Sequence, residues 1–126
     1  MIPYSGTTQP YVLEIRPGYA KIRIADRRIV RNHLRSLHAI ALVNLGELST
    51  GLAMTFGAPD DVRAILTGVS AEYTKKARGT ITSEATSPVL TSNEKREVPV
   101  EAVLRDEAGD VVARVTARWL VGPLVR

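Results

Sequence analysis

The segment that most limits the fold of this chain is a long apolar stretch from Ala39 to Phe56. Its pattern predicts a helix about 25 Å long, at roughly 1.5 Å per residue, which Gly57 and Pro59 would end. The apolar side chains are spread around the whole circumference of that helix: Ile40, Leu42, Val43, Leu45, Leu48, Leu52, Ala53 and Met54. A helix that is apolar on nearly every side is buried. The rest of the chain is therefore expected to wrap around it.

The segments on either side of this helix have the alternating pattern of antiparallel strands. Two precede the helix, Val12 to Arg16 and Tyr19 to Ala25, and four follow it: Val69 to Thr74, Gly79 to Thr86, Glu97 to Arg105 and Val111 to Val121. We expect three other segments to be irregular: Asp26 to His38 as a loop, Asp60 to Leu66 as a short helical turn, and Ser87 to Lys95 as a turn. Trp119 alternates with small core residues of the last strand and is expected to pack there. The order predicts an α+β fold in which a curved antiparallel sheet wraps one helix.

Composition limits the classes of function. The chain has 126 residues, 44% of them hydrophobic and 24% charged, as expected for one globular domain spanning residues 1–126. It contains no cysteine and two histidines, which excludes thiolate nucleophiles and Cys-ligated zinc, so we expect neither a metal nor a cofactor. The sequence shows no basic-then-apolar leader and no uninterrupted apolar span, so we expect a cytoplasmic protein that does not bind a membrane.

The positive charge suggests anionic partners. The net charge is +4, but lysine and arginine are scattered, and aromatic residues are only 5% of the chain. Because stacking on bases needs aromatic residues among basic ones, phosphate on a small ligand is favoured over nucleic acid. Lys75, Lys76 and Arg78, at the junction of the two middle strands, are the basic residues nearest a plausible ligand path. Their alternative interpretation is a solvated strand end.

The most informative polar residue is Glu47, in the middle of the apolar helix. An ionised carboxylate is costly to bury without partners, so its presence there needs a reason. Asn44 lies three residues before it and shares its helix face. If the helix begins near His38, the amides of Ala39 and Ile40 lack intrahelical acceptors and can hold a carbonyl oxygen.

Together these groups describe acyl transfer to water. Glu47 would activate a water molecule as general base, or attack the carbonyl directly, while Asn32 orients the water or the carbonyl from the loop. Structural alternatives remain open: an arginine pairing with Glu47 at a subunit interface, a capping or packing role for His38, an interface hydrogen bond for Asn44, and a turn-forming role for Asn32.

The spacing of Asn32, His38 and Glu47, on and before a long buried helix between strands, resembles the hotdog-fold thioesterases of the PaaI-like type. The resemblance spans about Tyr11 to Val121. It implies a hotdog fold and hydrolysis of acyl-CoA or a related thioester at sites shared between the subunits of a homodimer or homotetramer. It also implies that Asn32 matches the loop Asn or Gln, His38 the His of the family's His-Gly-Gly, and Glu47 the catalytic acid.

The sequence departs from the family where Ala39 and Ile40 replace the two glycines. Glycine allows close approach of the backbone to a ligand, and isoleucine does not, so Ile40 reduces the space for substrate. By analogy with the family, Lys75, Lys76 and Arg78 would meet the phosphates of CoA. The loss of the double glycine favours a second hypothesis, a non-catalytic acyl-CoA-binding or assembly module on the same fold.

Overall fold

The computed structural model describes residues 10–24, 35–77 and 79–124, with the backbone alone for 35–38. One helix and six strands follow each other along the chain: β1 Pro10–Arg16, β2 Tyr19–Ile24, α1 Arg35–Thr55, β3 Val62–Tyr73, β4 Ile81–Thr86, β5 Arg96–Arg105 and β6 Val111–Pro123. Within these ranges, no helix is both long and apolar enough to cross a membrane.

The strands form one antiparallel sheet in the order β1-β2-β4-β5-β6-β3, so that β1 and β3 lie at its edges. The register of the β5–β6 hairpin pairs Val100 with Ala117 and Ala102 with Val115, and all four side chains are buried. The alternation in β6 therefore places its small apolar residues on the face that meets the helix, as predicted. The predicted α+β fold, a curved antiparallel sheet around one helix, is confirmed.

Helix α1 packs closely against the inner face of the sheet. A Cβ atom at Gly46 would lie 2.5 Å from Cβ of Val115 on β6, so only glycine fits at this distance. Leu42, Leu45 and Met54 of the helix join the inner faces of the strands in one hydrophobic core. This core fixes the height of the helix above β6.

Two predicted boundaries are wrong. The helix begins at Arg35, about one turn before the predicted start at Ala39, so the end of the segment expected to be a loop is helical. Asp60 to Leu66 is not a helical turn, because β3 begins at Val62 and pairs there with Pro123 at the end of β6. In both places the local sequence lacks a clear period, and contacts distant in sequence decide the structure of β3.

The expectation that α1 is buried on every side is also wrong. Ile40 is 51% and Leu48 40% exposed, and Asn44 is exposed as well. The sheet covers one side of the helix only, because the edge strand β3 meets it along a short length. Within the described part of the chain, one apolar face of the helix is therefore left uncovered in a single protomer.

Candidate active site

Glu47 lies in an open groove on this uncovered side of α1. The groove has a volume of about 570 Å³ and lies between the helix and the inner face of β3 and β6. Its lining consists of Asn44, Glu47, Leu48, Gly51, Leu52, Thr55, Ala64 and Trp119. Glu47 is half-buried, and the shared face predicted for Asn44 and Glu47 brings both to this groove. The groove is more open than a dry site would be.

Trp119 forms one wall of the groove and is linked to the helix turn of Glu47. A Cβ at Gly51 would lie 3.2 Å from the indole ring, so the ring rests directly on the helix backbone. The indole Nε1–H donates to Oγ1 of Thr50 at 3.2 Å, and that hydroxyl donates to the backbone carbonyl of Glu47 at 2.8 Å. Sequence reasoning predicted packing for Trp119 but missed Thr50 and Gly51. The position of Gly51, four residues after Glu47 and so on the same helix face, was the available signal.

The described lining of the groove is mostly apolar. Among the described residues that line it, Asn44, Glu47 and Thr55 are polar, and none is a lysine or an arginine. Among the described residues, no arginine or lysine forms a salt bridge with Glu47. An arginine clamp on this carboxylate within the described part of one protomer therefore does not explain its presence.

A second groove, of about 420 Å³, lies near the start of the helix. It is lined by Ala39, Leu42, Tyr73, Thr74, Lys75, Lys76 and Ala77. The Tyr73 hydroxyl donates to the carbonyl of Ala39 at 3.0 Å, which joins the end of β3 to the helix. Burial raises the pKa of the Tyr73 hydroxyl. The structure thus brings Lys75 and Lys76 beside Ala39, as a ligand path at this end of the helix requires.

Lys75 is engaged with the β5–β6 turn. Its Nζ lies 2.7 Å from Oδ2 of Asp110 and 3.0 Å from Oδ2 of Asp106. Hydrogen bonds to Asp110 and Asp106 raise the pKa of Lys75, and the bond from Lys75 lowers the pKa of Asp106. The charge of Lys75 is therefore compensated, whereas no salt bridge within the described ranges involves Lys76, which is exposed.

The helix start changes the expected roles of Ala39 and Ile40. In a helix that begins at Arg35, their amides lie beyond the first turn and donate to carbonyls four residues earlier. Among the residues of the helix, the amides without intrahelical acceptors are those of residues 35–37. Ile40 is exposed, and Ala39 lies about 12 Å along the helix axis from Glu47, at roughly 1.5 Å per residue. Ala39 and Glu47 accordingly line different grooves.

Three predicted site residues lie wholly or partly outside the described part of the chain. Asn32 and Arg78 lie outside the described residues, and His38 belongs to α1, but its side chain is outside them. Over the described ranges, no group of three or more His, Asp or Glu side chains is arranged to hold a metal ion.

Comparison with known families identifies the chain. A family model described as a domain of unknown function, DUF4442, matches residues 1–121. The chain belongs to the DUF4442 family. DUF4442 is related to the PaaI-like thioesterases, so the resemblance predicted from the sequence is confirmed for the family. A search of curated proteins finds no match.

Solved structures share this fold over nearly the whole chain. The structural-genomics protein APC5556 is 31% identical, with 96% of this chain and 82% of that chain covered and a TM-score of 0.81. PA5026 from Pseudomonas aeruginosa, described as a protein of unknown function and probable thioesterase, is 25% identical, with 97% and 88% covered and a TM-score of 0.83. A glutamine-to-alanine variant of the thioesterase SAV0944 from Staphylococcus aureus is 15% identical, with 94% and 98% covered and a TM-score of 0.78. The fold of the DUF4442 chain is the hotdog fold.

Proposed function

We propose that this DUF4442 protein hydrolyses thioesters of the acyl-CoA type, with Glu47 as the catalytic carboxylate. The observation that carries the proposal is the position of Glu47, half-buried in an open and mostly apolar groove with Asn44 beside it. The similarity to PA5026, described as a probable thioesterase, and to SAV0944, described as a thioesterase enzyme, supports the same class of reaction.

The proposed chemistry is water attack on the thioester carbonyl. Glu47 takes a proton from water as the water oxygen bonds to the carbonyl carbon. The tetrahedral intermediate then collapses, the C–S bond breaks, and the proton passes to the departing sulfur, which gives a carboxylic acid and a thiol. Direct attack by Glu47 through an anhydride, which water then cleaves, gives the same products. Hydrolysis in ¹⁸O-water under single-turnover conditions tests direct attack: label in Glu47 shows that an anhydride formed and that water cleaved it at the Glu47 carboxyl carbon.

A complete site is proposed to need two protomers. A reacting carbonyl must lie about 3 Å from both the attacking group and the donors that stabilise its oxygen. The free amides of α1 lie in its first turn, further from Glu47 than Ala39 is, and a single protomer cannot bracket one carbonyl with both. A homodimer or homotetramer would place the helix start of one protomer at the Glu47 groove of its partner and cover the exposed Ile40 and Leu48.

The remaining site residues are proposed on different grounds, some on the structure and some on the family resemblance. Lys76, beside the helix-start groove and outside any described salt bridge, is the favoured contact for a CoA phosphate, and Lys75 and Arg78 are secondary. Asn32 and His38 are proposed on the family resemblance, Asn32 to orient water or carbonyl, and His38 as the counterpart of the family's helix-start histidine. Ala39 is proposed as a wall of this groove.

The alternative function is a non-catalytic acyl-CoA-binding or assembly module. One observation favours it: the exposed side chain of Ile40 stands where the related thioesterases have a glycine, and it limits the approach of a ligand to the helix backbone there. Such a module would keep both grooves and bind the ester without cleaving it.

One experiment separates the two functions. Thiol release from acyl-CoA esters of increasing chain length is measured together with fluorescence of Trp119, the single tryptophan of the chain, which lines the Glu47 groove. Hydrolysis predicts saturable thiol release with at least one ester. A saturable change in fluorescence without thiol release would replace the hydrolase by the binding module.

A further inference from the structure

The Glu47 turn of α1 is held to β6 on two sides. Gly46 precedes Glu47 and lies so close to the sheet that an added Cβ would sit 2.5 Å from Val115. Gly51 follows and lies under the Trp119 ring. Between these contacts, a chain of two hydrogen bonds runs from the Trp119 indole through the Thr50 hydroxyl to the Glu47 carbonyl. The turn that carries the carboxylate is thus fixed relative to the groove wall.

We propose that Thr50 and Trp119 are positioning residues for Glu47. The inference rests on the proposed function, since it concerns the placement of the same carboxylate. Thr50 is fully buried and is not among the residues that line the groove, so its effect on the reaction must pass through other groups. Its hydroxyl is the acceptor for the indole N–H and the donor to the Glu47 carbonyl, so it couples the groove wall to the helix turn.

This coupling has a catalytic consequence. Displacing a catalytic group by about 1 Å can lower the rate roughly 10²-fold, because the reacting atoms leave their attack geometry. A Thr–carbonyl bond within a helix is common and tends to bend the helix. Here the indole donor fixes the rotamer of that threonine, and with it the hydrogen bond to the Glu47 carbonyl.

The test uses Thr50→Val, which removes the hydroxyl with little change of shape, and Thr50→Ser, which retains it. Thr50→Val should lower kcat by about 10-fold while KM stays within about twofold, and Thr50→Ser should restore most of kcat. Ser49→Ala is the matched control: Ser49 is also buried, and its hydroxyl bonds to the Leu45 carbonyl at 2.7 Å, with no link to Trp119. This variant should keep kcat within about twofold of the original protein.

A double-variant cycle adds a readout that general destabilisation would not move. Trp119→Phe removes the indole donor, and its effect on kcat should largely disappear in the Thr50→Val background, because both substitutions break one chain of bonds. If the effects of the two substitutions on kcat are additive, the inference is overturned. The same holds if Thr50→Val leaves kcat unchanged while the original protein is active. Neither result would affect the proposed function. Absence of turnover by the original protein would overturn the proposed function, and with it the inference.

Discussion

The close approach of α1 to β6 leads to opposite predictions for two glycines of the same helix. Gly46→Ala places a Cβ 2.5 Å from Val115, whereas Gly51→Ala places one 3.2 Å from the Trp119 ring. Carbon atoms pack best at about 3.5 to 4.0 Å, so the first change needs a shift of roughly 1 Å and the second only a few tenths of an ångström.

The two substitutions share a favourable contribution and differ in strain. Alanine is better than glycine in a helix interior by about 1 kcal/mol. Overpacking of a core costs about 1 to 3 kcal/mol, and the larger values apply where the backbone cannot move, as between Gly46 and β6. We therefore expect Gly46→Ala to destabilise the protein by about 1 to 2 kcal/mol and Gly51→Ala to leave it unchanged or stabilise it by up to about 0.5 kcal/mol.

Urea unfolding at one fixed protein concentration measures both free energies, because the stability of an oligomer depends on concentration. The corresponding difference in Tm should be about 3 to 8 °C for a chain of this size. Equal stability of the two variants, or a more stable Gly46→Ala protein, would mean that the helix does not approach β6 as closely as described.

Three further predictions follow from the charged and phenolic groups. Lys76→Ala should raise KM for an acyl-CoA about 5-fold with kcat unchanged, because a charge-assisted phosphate contact is lost; a smaller effect than that of Lys75→Ala would reverse their assignment. Burial, and then a hydrogen bond to Glu84, raise the pKa of Tyr19 to about 12. The stability linked to the protonated Tyr19 hydroxyl is therefore present below about pH 10 and lost as the pH rises towards 12. Tyr19→Phe should remove a tyrosine step near pH 12 in an ultraviolet titration. The lowered pKa of Asp106 contributes stability above about pH 4 that is lost on acidification. Asp106→Asn should therefore weaken the fall of the unfolding free energy at acid pH. An unchanged dependence of this free energy on acid pH would contradict the contact with Lys75.

The strands differ in how far the sequence could predict them. In β6, apolar and polar residues alternate over most of the strand, so its buried face followed from the pattern alone. The first half of β3 could not be predicted in this way. Its state depends on pairing with the end of β6, more than fifty residues later: Val62 pairs with Pro123 and Ala64 with Val121. Local propensity carries no information about such a partner.

The site shows the same division between local and distant information. The pairing of Asn44 with Glu47 in one groove follows from helix periodicity, and it was predicted. The salt bridges of Lys75 were not predicted, because their partners Asp106 and Asp110 lie on a hairpin distant in sequence. The exposed side of α1 was also missed, since an apolar circumference does not tell whether the chain itself or a second protomer covers each side.

The most direct test of the catalytic assignment is the ratio of kcat between the original protein and Glu47→Gln, measured on the best acyl-CoA substrate. Glutamine has nearly the same shape but neither takes up a proton as a base nor attacks as a carboxylate. We predict a kcat about 10²- to 10⁴-fold lower, with the Trp119 fluorescence titration and the unfolding free energy little changed. A Glu47→Gln protein that turns over thioester at the original rate would contradict the catalytic role of this carboxylate.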